Sequence, residues 1–310
     1  MTRVLAFVLA GALAAGCAPR SAASPVAAAP HAPPSPAVAR VDPSVDGSAV
    51  DGSAVDRPFV DGLGTAPAGK SLVPPPARND LADPAKKEVA MELVSSAENS
   101  SLDWRAQYAY IQDIGDGRGY TAGIVGFCSG TGDMLHLVER YQKLSPGNRL
   151  AKYLPALRDV NGGDSHDGLD PGFTGDWKAA AGDRLFRQAQ DAERDAMYFN
   201  PALSAAHQDG LRPLGQFAYF DAAVMHGADG LARLRKQAAA VARPPAQGGD
   251  EVAYLSAFLD ARVALMKSEP AHRNTTRVDT EQRVFLDQGN LDLKLPLSWK
   301  VYGTPYSITR

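Results

Sequence analysis

Residues 91–121 read MELVSSAENSSLDWRAQYAYIQDIGDGRGYT, and the changes of character along this stretch decide the fold and locate its chemistry. The first eight residues finish a helix. Asp83-Pro84 opens that helix, since Asp accepts hydrogen bonds from free backbone N–H groups and Pro tolerates the first helical position. Val89, Leu93, Val94 and Ala97 recur at helical spacing and supply one apolar face. Glu98 comes where that pattern fails, just before Asn99, Ser100 and Ser101. A carboxyl group there meets the negative end of the helix dipole beside an apolar face, and both favour the protonated form that a general acid needs.

Asp116 lies in Asp113-Ile-Gly-Asp-Gly-Arg-Gly-Tyr-Thr121, where three glycines within five residues permit tight turns and close approach to a ligand. An Asp in so wet a loop stays ionised and suits a base. The flanks Tyr108–Ile114 and Tyr120–Phe127 are rich in aromatic and β-branched residues, which predicts a strand, a Gly-rich turn and a second strand. Glu98 on a helix end and Asp116 on a hairpin loop form a candidate acid and base pair across a cleft. The plainer alternative is an exposed Glu and a turn-forming Asp.

The rest of the chain reads as mostly helical. Met134, Leu135, Leu137, Val138 and Tyr141 make a helix ended by Ser145-Pro146-Gly147. Further helical stretches are expected at Leu150–Leu157, Trp177–Tyr198, Leu203–Gln208, Leu214–Met225 and Val252–Met266, with strand signals concentrated at 108–127. Asp221 has Phe217 four residues before it and Val224 and Met225 after it, which puts a charge on an apolar stripe. Arg262, between Phe258, Leu259, Leu265 and Met266, is in the same position on another helix. An unpaired buried charge is costly, so the two are expected to meet.

The N-terminal part has a different composition. Met1–Gly16 carries one basic residue, Arg3, an apolar run and then Leu13-Ala-Ala-Gly-Cys17. The run is too short to span a bilayer and reads as a cleaved export signal over residues 1–16. Its end looks like a lipobox, in which Cys17 becomes a lipidated first residue. Residues 17–80 are dominated by Ala, Pro, Ser and Gly, with VDGSA repeated from residue 45, and offer too little apolar surface to offset the entropy of ordering. They are expected to form a disordered tether, leaving 81–310 as the catalytic domain. The expected location is therefore extracellular or at the cell surface, with the membrane touched only through that anchor.

Several classes are excluded. The net charge is −3, and the first 80 residues hold six basic and six acidic side chains, so residues 81–310 keep that whole charge. A polycationic ligand would need a locally acidic cleft rather than a field from the whole molecule. Basic residues are scattered, with no nucleic-acid module. The histidines, at 31, 136, 166, 207, 226 and 272, show no HExxH or other metal spacing, and neither metal nor cofactor is expected. Gly126-Phe-Cys128-Ser129-Gly130 superficially matches a nucleophile elbow, yet the helical remainder lacks the alternating α/β pattern that motif needs. Cys128 is expected to be a small buried residue.

The segments SSAENSSLDW (95–104), YIQDIGDGRGYTAGIVGFCSGTGDM (110–134), LAKYLPAL (150–157), GQFAYFDAAVMHG (215–227), PAQGGDE (245–251) and RVDTEQRVF (277–285) occur in this order. Together they resemble the family 46 chitosanases among glycoside hydrolases, over roughly residues 81–310. The resemblance implies an α+β, mainly α-helical, lysozyme-like fold with two lobes, a small antiparallel sheet and a cleft between the lobes. It implies a monomeric, endo-acting enzyme that cleaves β-1,4 links between glucosamine units of chitosan with inversion. Glu98 corresponds to the general acid, Asp116 to the general base and Thr121 to the residue that helps hold the attacking water.

The resemblance also places Asp221, Arg262 and Arg277 in an ion network behind the acid, and Asp133 and Glu269 along the cleft, where a carboxylate suits a glucosamine ammonium. The minimal role of Asp133 is as N-cap of a helix starting at Met134. Arg118, between two loop glycines, either orients Asp116 or steadies the cleft, the plain reading being a solvated loop charge. Gln112 stands where relatives can have Glu, and Arg273 falls in an acidic stretch of some relatives, departures that bear on outer subsites. Two alternatives stay open: a peptidoglycan-cleaving enzyme of lysozyme-like fold, and a non-catalytic polysaccharide-binding lipoprotein.

Overall fold

The computed structural model describes residues 79–269 and 273–310. The export signal, Cys17 and nearly all of the tether lie outside the described residues. Helix α1 spans Pro84–Glu98 and starts as the sequence dictates, with the Asp83 carboxylate accepting from the amides of Ala85 at 3.0 Å and Lys86 at 3.1 Å. Its apolar positions Val89, Leu93, Val94 and Ala97 are all buried. It ends at Glu98 because Asn99 and Ser100 leave the helical region, Ser100 with a φ of 51°.

The expected hairpin is present but shorter. Strands β1 (Ile111–Asp113) and β2 (Tyr120–Ala122) pair antiparallel, with Ile111 opposite Ala122 and Asp113 opposite Tyr120, so that Asp116 sits in the connecting loop. Tyr108 and Ala109, expected to start the first strand, instead end a 3-10 helix (Trp104–Ala109), because the Asp103 side chain accepts from the Ala106 amide and starts a helical turn. The expected second strand is divided: Gly123 and Gly126, with φ of 75° and 73°, turn the chain back so that β3 (Phe127–Cys128) pairs with β2.

Helix α2 (Asp133–Leu144) follows, then a 3-10 turn (Ala151–Tyr153) and α3 (Leu154–Asp159). The single helix expected over Trp177–Tyr198 is α4 (Phe173–Ala180), α5 (Arg184–Arg194) and a π-helical turn (Asp195–Phe199). The break arises because Asp183 caps α5, its carboxylate accepting from the Leu185 amide at 2.9 Å. Next come α6 (Asn200–Asp209), α7 (Pro213–Val241) and α8 (Glu251–Ser268). A π-helical turn (Val278–Gln282) leads into α9 (Arg283–Asp287) and a C-terminal hairpin of β4 (Leu297–Val301) and β5 (Thr304–Ile308). That hairpin was not expected from the strand signals.

The elements group into two lobes. In the first, α2 packs on α3, α5 and β3, while α4 packs on β1 and on the 104–109 turn. Phe173, Trp177 and Phe186 fill its centre, and the Tyr108 carbonyl accepts from Trp177 Nε1 at 3.1 Å and Gln190 Nε2 at 3.0 Å, fixing the 104–109 turn to α4 and α5. In the second lobe α7 packs against α6 and α8, and the 278–282 turn against α9 and β4. Helix α1 touches both groups, through the 104–109 turn and through α7, and the 195–199 turn links α5 to α6 and α7. The result is a mainly helical α+β, lysozyme-like architecture. Among the described residues no helix is long and apolar enough to cross a membrane.

Candidate active site

Glu98 lies at the last position of α1 with its side chain 10% exposed. Its Oε1 accepts from Arg277 Nη1 at 2.6 Å. Arg277 in turn donates from Nη2 to Asp221 Oδ1 at 2.6 Å, and Arg262 Nη1 donates to Asp221 Oδ2 at 2.6 Å. Gln282 closes the group, donating to Asp221 Oδ2 at 2.7 Å and accepting from Arg262 Nη1 at 3.3 Å. Asp221, Arg262 and Arg277 are all at most 2% exposed. The expected meeting of Asp221 with Arg262 is therefore observed, and the expected network reaches the Glu98 carboxyl itself.

Burial would raise the Asp221 carboxyl, but the two guanidiniums override it and hold the group down at about 2. The Arg277 guanidinium that reaches Glu98 is itself buried and comes from a distant segment, so it was not legible from the end of α1.

Asp116 is held by one local partner. Its Oδ1 accepts from the Arg118 amide at 3.2 Å and its Oδ2 from Arg118 Nε at 2.8 Å, with a further contact from Nη2 to the same oxygen. The carboxylate is 16% exposed and the guanidinium 11%. Arg118 is thus no solvated loop charge: it fixes the orientation of Asp116. Gly115, Gly117 and Gly119 have φ of 70°, 83° and 69°, conformations that L side chains rarely adopt, which explains their spacing around Asp116. Thr121 is on β2, 3% exposed, with Oγ1 3.5 Å from Cys128 Sγ. Burial pushes the Cys128 thiol up to about 11, so it is an inert packing group rather than a nucleophile.

Asp133 departs from its expected cap position. Gly132, with a φ of 85°, is the N-cap and Asp133 is the first residue of α2. Its Oδ1 accepts from Cys128 N at 3.0 Å, Thr131 Oγ1 at 2.6 Å and Met134 N at 3.0 Å, and the residue is 3% exposed. In this structure it ties β3 to α2, and burial raises its carboxyl in spite of these donors. Glu269, the residue that ends α8, has Oε2 3.3 Å from Nδ1 of the buried His226.

Two features escaped the sequence reading. The His226–Glu269 pair did, because α7 continues about four turns beyond the apolar stretch used to predict it and is bent at Gly227. Glu281 did too, although it lies four residues after Arg277, a spacing that places both on one helical face. An open groove of about 690 Å³ lined by Thr280, Trp299 and Tyr306 contains neither Glu98 nor Asp116, so the site is defined by side-chain pairing.

The protein-family model for glycosyl hydrolase family 46 matches residues 92–297, which include both carboxylates and the whole network. The chain belongs to glycosyl hydrolase family 46. This family 46 chain is 67% identical over 232 residues to the chitosanase of Streptomyces sp. (strain N174), covering 74% of the chain and 84% of that relative. It is 60% identical over 247 residues to the chitosanase of Nocardioides sp. (strain N106), covering 78% of the chain and 87% of that protein. Its fold matches the co-crystal structure of chitosanase OU01 with substrate at a TM-score of 0.72 and 56% identity, over 74% of this chain and 99% of that one.

Proposed function

We propose that this family 46 hydrolase is an endo-acting chitosanase that cleaves β-1,4 links between glucosamine units by single displacement. One observation carries the reading: two carboxyl groups on separate elements are each held by a guanidinium, Glu98 by Arg277 and Asp116 by Arg118. Glu98 protonates the leaving glycosidic oxygen. Asp116, oriented by Arg118, deprotonates a water that attacks the opposite face of the sugar, and Thr121 helps to place that water. Inversion requires the two carboxyl groups to stand roughly 6.5–9.5 Å apart so that the water fits between them. Asp133 and Glu269 supply negative charge toward substrate ammonium groups, Asp133 through Oδ2, since Oδ1 is taken up by three donors.

The chitosanases of the relatives support this substrate, and so does the near-neutral total charge of residues 81–310, which leaves polycation binding to local carboxylates. The same reading includes export through residues 1–16 and a lipid anchor on Cys17, supported by Leu13-Ala-Ala-Gly-Cys17. Cell fractionation tests the anchor: Cys17→Ala is expected to leave the membrane fraction, and its retention there contradicts anchoring. For the chemistry, reducing-end release from highly deacetylated chitosan is expected to fall about 10²- to 10⁴-fold in Glu98→Gln, the usual contribution of acid–base catalysis. Near-normal turnover by that variant removes Glu98 from the mechanism, and release from peptidoglycan but not from chitosan replaces the substrate.

A further inference from the structure

The loop that carries Asp116, residues 114–119, leaves β1 at Asp113 and enters β2 at Tyr120, and these two residues stand opposite each other in register. They form its neck. Asp113 Oδ1 accepts from the Gly115 amide at 2.8 Å and starts the turn. Arg118 lies inside the same loop, so it orients the Asp116 carboxylate within the loop without fixing the loop to the lobe. Glycines at 115, 117 and 119, all at positive φ, give the loop little stiffness of its own, and contacts from outside must place it. Residues 160–172, between α3 and α4, pass alongside. The Gly162 amide donates to the Gly130 carbonyl at 2.8 Å, and a Cβ at Gly119 would stand 3.6 Å from the Asp164 carbonyl oxygen. Leu169, fully buried, roots that segment in the core.

His166 joins this segment to the neck. Its carbonyl accepts from the amides of Leu169 at 2.9 Å and Asp170 at 3.2 Å, a turn that brings the side chains of His166 and Asp170 together. The imidazole stacks on Tyr120, with ring centroids 3.9 Å apart and planes 10° apart. Its Nε2 lies 3.2 Å from Asp113 Oδ2 and its Nδ1 3.6 Å from Asp170 Oδ2, while Asp170 Oδ1 accepts from Tyr120 Oη at 2.5 Å. Nε2 is buried and makes no aligned hydrogen bond among the described residues, which leaves the Asp113 carboxylate as an acceptor within reach. Whichever ring nitrogen carries the proton therefore faces a carboxylate. One side chain thus meets both sides of the neck and its own segment.

We propose that His166 is a positioning residue for Asp116: by stacking on Tyr120 and meeting Asp113, it holds the neck of the loop against residues 160–172 and so holds the base at its water. It acts through Asp116, and the proposal rests on the reading of Asp116 as the base.

Steady-state kinetics on highly deacetylated chitosan tests this with two replacements of the ring. His166→Phe keeps a flat ring for the stack and loses both nitrogens, whereas His166→Gln returns a donor near the position of Nε2. His166→Phe is expected to lower kcat up to about 10²-fold with a smaller change in KM, the cost of a misplacement of about 1 Å, and His166→Gln to recover part of that loss. Asp113→Ser supplies the partner change: it keeps an oxygen for the Gly115 amide but falls short of His166. The double variant, His166→Phe with Asp113→Ser, is expected to lose no more kcat than the worse single variant, because both changes break one contact. A merely structural histidine would lower the unfolding midpoint and leave kcat in place. Wild-type kcat in a folded His166→Phe protein, or losses that multiply in the double variant, overturns the proposal. Where His166→Phe fails to fold, wild-type kcat in Asp113→Ser overturns it equally. Full activity in Asp116→Asn overturns the base assignment instead.

Discussion

Asp221 shows how far the properties of a residue depend on what it is paired with. A lone carboxylate in its 1% exposed position would cost more than the fold could tolerate, yet two arginines at 2.6 Å hold it ionised down to about 2. Because its folded value lies below the ordinary 3.8, the stabilisation is complete above about pH 4 and is lost as the pH falls through about 2. The displacement corresponds to about 2 kcal/mol. Glu281, raised by burial, contributes with the opposite sign, its effect growing as the pH rises above the ordinary Glu range. Urea midpoints between pH 5 and pH 2.5 are therefore expected to fall more steeply for the wild type than for Asp221→Asn, and equal slopes contradict the pairing. The Asp221–Arg262 contact was legible in the sequence because both charges sit on apolar stripes, where burial demands a partner. Glu281 was not, since RVDTEQRVF mixes charged and apolar residues with no clean period.

At the level of elements, the loop that carries Asp116 is placed by glycine packing. The Gly130 amide donates to the Arg118 carbonyl at 2.9 Å, and its own carbonyl accepts from the Gly162 amide at 2.8 Å. A Cβ at Gly130 would run into the Gly163 carbonyl oxygen and come within 2.9 Å of the Arg118 carbonyl oxygen. Gly130→Ala is thus expected to displace Arg118 and with it Asp116, lowering kcat up to about 10²-fold with a smaller change in KM, since misplacement by about 1 Å has that cost. Steady-state kinetics decides, and an unchanged kcat contradicts this route of positioning. The glycines made this hairpin legible, but the expected first strand began at Tyr108, three residues ahead of β1, because aromatic propensity at Tyr108 and Tyr110 outweighed the helical turn that Asp103 starts. It missed β4 and β5, where Leu297, Trp299 and Val301 alternate inward around the Gly303 turn. That alternation was readable; the exposed β5, with one fully buried residue, carried little signal of its own.

For the whole molecule, the two candidate catalytic carboxyl groups come from different parts of the fold: Glu98 from α1, backed by Asp221, Arg262 and Arg277 of the second lobe, and Asp116 from the β1–β2 loop of the first. Resemblance across ordered motifs conveyed the two-lobed architecture, which spacing alone could not, because packing between lobes joins residues as far apart as Glu98 and Arg277. The proposed single displacement needs a base that reaches its water from one side of the sugar and an acid that reaches the leaving oxygen from the other. Proton NMR of the first products from highly deacetylated chitosan tests this most directly. Reducing ends that are initially α-anomeric are the expected result, because direct attack by water inverts a β link. Initially β-anomeric ends would contradict the account, since retention requires a carboxylate close enough to form a covalent intermediate.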